Sequence, residues 1–189
     1  DISTDLIGII NILENTKQHN PQMKIIFAST VTVIGDTENL PSNEDEKENP
    51  LSIYEANKLA AEKYLQLYAQ NYNLKTTTLR LSNVFGEYQR TDNPSRGVLN
   101  FMIGRALRGE VLTIYGEGDF IRDYCHVQNY VEAFIQAALS ENTNGKSFVL
   151  GSGQGLTFKE AMDKIKSQVE TLTNKQVKIE HVPFPESEN

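Results

Sequence analysis

A tyrosine and a lysine four residues apart, Tyr54 and Lys58, open the amphipathic run "SIYEANKLAAEKYLQLYAQNY" (residues 52–72). Four helical residues advance about 6 Å and turn about 400°, so both side chains share one face. A free tyrosine titrates near pH 10 and is almost wholly protonated at neutral pH. An ammonium one turn away favours the phenolate, and a tenfold gain in acidity corresponds to about 1.4 kcal/mol of such preference. A tyrosine lowered in this way can take a proton from an alcohol as hydride leaves its carbon. The spacing alone is weak: eight tyrosines and 12 lysines in 189 residues give one Tyr-x-x-x-Lys by chance about half the time. Position strengthens it. Ser52 and Glu55 form a capping box, which starts the helix at Ile53 and sets the pair beside a loop instead of mid-helix.

The elements that must hold this pair alternate along the chain. Leu6, Ile9, Ile10 and Leu13 repeat at helical spacing over 3–18. "KIIFAST" is a short apolar run with β-branched residues, expected as a buried strand ending at Ser29 and Thr30. Residues 35–50 are an acidic loop, read as a solvated connection. After the helix to about Tyr72, "LKTTTLRL" reads as a strand, followed by a loop over 86–96 and a helix over 98–108. Strands "VLTIYG" and "IRDYCHV", a helix over 128–140 and a strand "SFVLG" come next. Thr157 with Glu160 caps a helix to about 171, and "QVKIEHV" closes as a strand. Strands alternating with helices imply an α/β fold with a parallel sheet. "FVLGSGQGLTFKEAMDKI" mimics a dinucleotide-binding fingerprint, but Leu156 stands where G-x-G-x-x-G needs its last glycine. A connecting turn and a capped helix account for it.

The composition narrows the function classes. A net charge of −7 argues against nucleic acid as partner, while leaving room for a small anion held by a few arginines. The single cysteine, Cys125, permits no internal disulfide and suits a reducing cytoplasm. No run approaches the 18 or so apolar residues of a membrane span. The chain starts and stops abruptly, in helical period at one end and at "PFPESEN" at the other, and reads as a fragment.

Five stretches together resemble a known family. "DLIGIINILE", "IIFASTVTVIGD", "YEANK", "RLSNVFG" and "GEGDFIRDYCHVQNYVEAF" are similar, in order and spacing, to motifs of the extended short-chain dehydrogenase/reductases. The group they resemble is the NAD-dependent nucleotide-sugar epimerase/dehydratase family typified by UDP-glucose 4-epimerase. The resemblance covers essentially the whole chain. It implies a Rossmann-like parallel sheet, here partial and without its first strands, with a small C-terminal substrate-binding subdomain. The expected division is a partial NAD-binding region over 1–85 and a mainly nucleotide-sugar-binding part over 86–189, from which strand 147–150 returns to the sheet. The glycine-rich turn would precede Asp1 and further substrate contacts would follow Asn189, so this chain alone is expected to be inactive and to bind NAD weakly.

Roles follow from the resemblance residue by residue. Tyr54 would be the catalytic base and acid, with Lys58 holding the nicotinamide ribose and lowering the tyrosine. Thr30 falls on the catalytic serine/threonine position, Ser29 is its neighbour on the cofactor side, and Ser82 lies beside the nicotinamide. Asn83 would contact the diphosphate, Val98 and Leu99 would pack the nucleotide, and Tyr115 would meet the base. Arg122 would hold the diphosphate, a task suited to a guanidinium's bidentate fork. Ile34 and Glu87 replace a tyrosine and a proline usual in the family, and Asn129 replaces an aspartate. The expected activity is C4 epimerisation through NAD. Alternatives are a 4,6-dehydratase or reductase on the same scaffold, or a non-catalytic dinucleotide sensor, against which the intact Thr30, Tyr54 and Lys58 argue. In family dehydratases an aspartate and a glutamate follow the threonine, where this chain has Val31 and Thr32. Family members commonly dimerise through the helices that here span 3–18 and 53–72, in a four-helix bundle.

Overall fold

The computed structural model describes residues 2–37 and 39–184. A π-helical stretch, Ser3–Ile7, leads into α1 (Gly8–His19), and β1 (Lys24–Thr30) ends in a 3₁₀ turn, Val31–Ile34. The chain continues through α2 (Ile53–Tyr72), β2 (Lys75–Leu81), β3 (Asn83–Phe85), α3 (Val98–Leu107), β4 (Leu112–Tyr115) and β5 (Ile121–His126). It closes with α4 (Val127–Leu139), β6 (Lys146–Leu150), β7 (Gly155–Thr157), α5 (Phe158–Thr173) and β8 (Ile179–Val182). The chain forms two compact units. The first runs to Ser82 and resumes over Gln128–Gly151; the second is Asn83–Val127 with the segment from Ser152. The body of α4 therefore accompanies β6 into the first unit. Among the described residues no helix is long and apolar enough to cross a membrane.

The first unit is built on a three-stranded parallel sheet in the order β1-β2-β6. Its central strand is the polar-looking "KTTTLRL", and three consecutive threonines, Thr76, Thr77 and Thr78, are buried in it. β-Branched side chains suit the pleated backbone, and the buried hydroxyls of Thr76 and Thr77 have partners, which removes the cost of hiding them. Thr76 Oγ1 donates to Leu65 O of α2 (3.2 Å), whereas Thr77 Oγ1 donates to Thr143 O (3.0 Å). Successive strand residues face opposite sides, so α2 covers one face and the turn after α4 the other. On the α2 side Ile9, Leu13, Ile25, Ala61, Leu65 and Leu74 form the core. The same parity aims Arg80 at α2, where it meets Glu62.

The second unit packs α3 and α5 together over Met102, Leu112, Ile114, Phe158, Met162 and Ile165. β4 and β8 pair in parallel, β3 pairs β5 in parallel, and β7 pairs β5 antiparallel. The capping box of α5 is present in full, and the glycines before it lead into β7. Among the described residues no βαβ unit carries that glycine run, in keeping with its reading as a connection. The expected closing strand is shorter than "QVKIEHV", because the Val177 N–H donates to Glu170 Oε1 (2.9 Å) and not to a ladder. β3 and β7, three residues each, are too short for alternation to reveal.

Candidate functional site

The parallel register aligns Thr30, Leu81 and Leu150 at the carboxyl ends of three strands. Open α/β sheets bind ligands outside those ends. Thr30 closes β1 in extended conformation and caps the following turn: its Oγ1 accepts the Thr32 N–H (3.2 Å) and lies 3.0 Å from Thr32 Oγ1. Beside it Ser29 is only 5% exposed, and its hydroxyl has no partner. Ser82, just past β2, donates its N–H to Leu150 O (3.0 Å), and its hydroxyl meets Tyr130 Oη at 2.7 Å. Tyr130 is a residue that sequence reasoning did not single out.

Tyr54 and Lys58 reach the same edge from α2. The capping box holds the start of the helix: Glu55 N–H donates to Ser52 Oγ (3.2 Å), and Glu55 Oε2 accepts from Ser52 N (2.9 Å) and Leu51 N (2.6 Å). Lys58 Nζ donates to Ala28 O (3.1 Å), two residues before Thr30. It also sits 4.8 Å from the Phe27 ring centroid and 5.8 Å from that of Tyr54, within cation–π range. The lysine thus ties the tyrosine's helix to the threonine's strand. Tyr54 is 51% exposed, open to an incoming ligand. Ile34, by contrast, is buried in the turn after β1. Among the described residues no group of three or more His, Cys, Asp or Glu is placed to hold a metal.

The acidic loop is anchored, which the charge pattern did not foretell. Glu48 pairs with Lys63 (3.0 Å) and with Arg80 Nη2 (2.9 Å), and Glu44 Oε1 accepts the Val149 N–H (2.8 Å). Burial works against ionising Glu48, yet Lys63 and Arg80 outweigh it and hold its carboxyl below the usual 4.5. Burial also opposes the Arg80 charge, and Glu62 and Glu48 more than offset it.

The second unit holds the other expected residues. A pocket of about 350 Å³ is lined by Asn83, Val98 and Leu99, together with Gln89, Arg96 and Tyr124. Gly97 makes the bend into α3 at φ 68°, a left-handed backbone conformation that glycine adopts without strain. Burial pushes the Tyr124 phenol up, while the Arg122 guanidinium pulls the other way. Tyr115 and Arg122 do not line the pocket. Tyr115 stacks on Phe184 with ring centroids 6.2 Å apart. Arg122 Nη1 donates to Ile121 O (2.8 Å), with its guanidinium 5.1 Å from the Phe120 ring centroid. Glu87 pairs with His126 Nε2 at 3.1 Å. Arg96, Gln89 and Tyr124 were not picked out by sequence; the available signal was a cationic residue directly before the glycine that precedes α3.

Comparison with known proteins puts these features in context. The family model described as NAD dependent epimerase/dehydratase family matches residues 1–151. A putative UDP-glucose 4-epimerase of Methanocaldococcus jannaschii is 32% identical over 170 residues, 89% of this chain and 54% of its own length. A dTDP-4-dehydro-6-deoxyglucose reductase of Escherichia coli is 32% identical over 142 residues, 75% of this chain and 44% of its own. The crystal structure of a UDP-glucose 4-epimerase with UDP-glucose from Thermotoga maritima superposes with a TM-score of 0.86 at 31% identity, covering 100% of this chain and 59% of that one. The chain spans about half the length of the relatives it matches.

Proposed function

The chain belongs to the NAD-dependent epimerase/dehydratase family, and we propose that within it the protein is a nucleotide-sugar 4-epimerase. The observation that carries this choice is the turn after β1. Val31–Ile34 contains no carboxylate, and Thr32 is engaged in holding Thr30. A 4,6-dehydratase must also remove the C5 proton and expel the C6 hydroxyl, which calls for a second acid/base set that this turn does not supply.

The residues present fit a nicotinamide cofactor. The buried Ser29 hydroxyl lacks a partner, and Lys58 and Ser82 stand at the same carboxyl edge of the sheet. These three would hold NAD, which when bound supplies the acceptor and then the source of hydride at the sugar C4. Tyr54, with the Lys58 ammonium beside its ring, takes the C4 hydroxyl proton and later returns it. Thr30 Oγ1 accepts the Thr32 N–H, and its own hydroxyl proton would donate to the sugar O4. The resulting 4-ketone turns over and is reduced from its other face. Asn83 contacts the diphosphate and Val98 and Leu99 pack the nucleotide, with Tyr115 on the base and Arg122 on a phosphate. A homodimer through α1 and α2 is part of this reading, supported by the exposed Ile12 and Leu67 on those helices.

A second reading, a nucleotide-sugar 4-ketoreductase using the same Thr30, Tyr54 and Lys58, is favoured by the reductase relative at equal identity. The test is product NMR on the full-length enzyme given a panel of nucleotide sugars. A C4 epimer without an accumulating 4-keto-6-deoxy sugar is expected, and such a ketone as main product overturns the assignment.

A further inference from the structure

Six arginines occur in the sequence. Arg80, Arg90, Arg105 and Arg108 each pair with a carboxylate. Among the described residues Arg96 and Arg122 are the two that do not. In a chain with 25 acidic and 18 basic residues, a guanidinium left without a carboxylate is a departure from the local rule. Among the described residues Arg96 is also the only charged side chain lining the second unit's pocket, where no aspartate or glutamate faces it. Its polar neighbours there include Asn83 and Ser95, whose amide and hydroxyl can both donate to an anion. Gln89 and Tyr124 add to the lining, each with an oxygen that has no partner. The pocket is therefore cationic by composition in an acidic protein, and it presents donors that a phosphate oxygen would satisfy.

We infer that Arg96 is a second phosphate-binding arginine, which with Arg122 neutralises the diphosphate of the nucleotide-sugar substrate and so selects diphosphate over monophosphate nucleotides. The inference rests on the nucleotide-sugar reading given above. A diphosphate diester carries one negative charge on each phosphate, and a single guanidinium balances one of them. On β5 Arg122 stands two residues before Tyr124, on the same face of the strand, and Tyr124 lines the pocket together with Arg96. Two arginines thus bear on one pocket from two segments of the same unit, the loop before α3 and strand β5. A fork that donates two bonds to one phosphate is lost on substitution by lysine as well as by glutamine, to different degrees.

The test is calorimetric titration of the full-length protein with UDP, dTDP, UMP, uridine and a uronate nucleotide sugar. Arg96→Gln should weaken the nucleoside diphosphates by about tenfold or more, as expected for loss of a charge-assisted bond, and leave uridine unchanged. Arg96→Lys should fall between. Arg90→Gln, on the same loop but paired with Asp92, is the control and should bind like wild type. In turnover, Arg96→Gln should raise KM with kcat retained. Wild-type binding with unchanged diphosphate affinity in Arg96→Gln sinks the role of Arg96 and spares the functional reading. Loss confined to the uronate sugar overturns the phosphate assignment. Failure of the wild type to bind any nucleoside diphosphate sinks the functional reading and this inference with it.

Discussion

Replacing Glu62 by glutamine should destabilise the protein far more than an isosteric change suggests. Glu62 on α2 and Arg80 on β2 have side chains each 4% exposed. Arg80 Nε lies 3.2 and 3.1 Å from the two Glu62 oxygens, and its Nη2 lies 2.7 Å from Oε2. Removing one member of a buried pair leaves the other charge uncompensated, at a cost of about 3–5 kcal/mol. Glu48 remains 2.9 Å from Arg80 Nη2 but is 29% exposed, so partial compensation places Glu62→Gln near the lower end, about 3 kcal/mol. With a urea slope of about 2 kcal/mol per molar, the unfolding midpoint should drop by about 1.5 M. The double variant Glu62→Leu/Arg80→Met should lose less than Glu62→Gln alone, because no buried charge is left behind. The assay is urea unfolding followed by circular dichroism. A midpoint shift below about 0.3 M for Glu62→Gln would refute the reasoning, since the pair would then add nothing net to the packing of α2 on the sheet.

Two further outcomes follow from the first unit. Tyr54→Phe should lower turnover by roughly 10²–10⁴-fold, the usual worth of a positioned proton-transfer group, with substrate binding and unfolding midpoint retained because the side chain is half exposed. Near wild-type kcat would remove Tyr54 from its role. Glu48 is held below the ordinary carboxylate value of 4.5, so its contribution is present above that value and is lost as pH falls through its lowered folded-state pKa. The urea midpoint of the wild type should therefore fall more steeply below pH 4.5 than that of Glu48→Gln; parallel curves would show that the loop anchor contributes nothing.

What the sequence makes legible here is what local chemistry dictates. The Ser52–Glu55 and Thr157–Glu160 boxes fix two helix starts to the residue, and both are found as expected. "KIIFAST" announces its own strand through β-branching and apolar content. Less visible is anything that depends on distant partners. The Arg80–Glu62–Glu48 network joins three segments far apart in sequence, so a charge-rich loop read as merely solvated is pinned at Glu44 and Glu48. β3 and β7 exist because β5 pairs with them, not because of their own pattern. The same holds at the candidate site. Thr30, Tyr54 and Lys58 stand out by type and spacing, whereas Arg96 acquires meaning only once four of the other five arginines are seen to be paired and the pocket around it is seen to lack carboxylates.

The central claim is that this protein inverts a sugar carbon by oxidising and re-reducing it at one site. The most direct measurement gives the full-length enzyme a nucleotide sugar deuterated at C4 and follows the product by NMR without added NADH. The account predicts the C4 epimer with deuterium still at C4. A 4-keto-6-deoxy product, or reduction that proceeds only as added NADH is consumed, would contradict it.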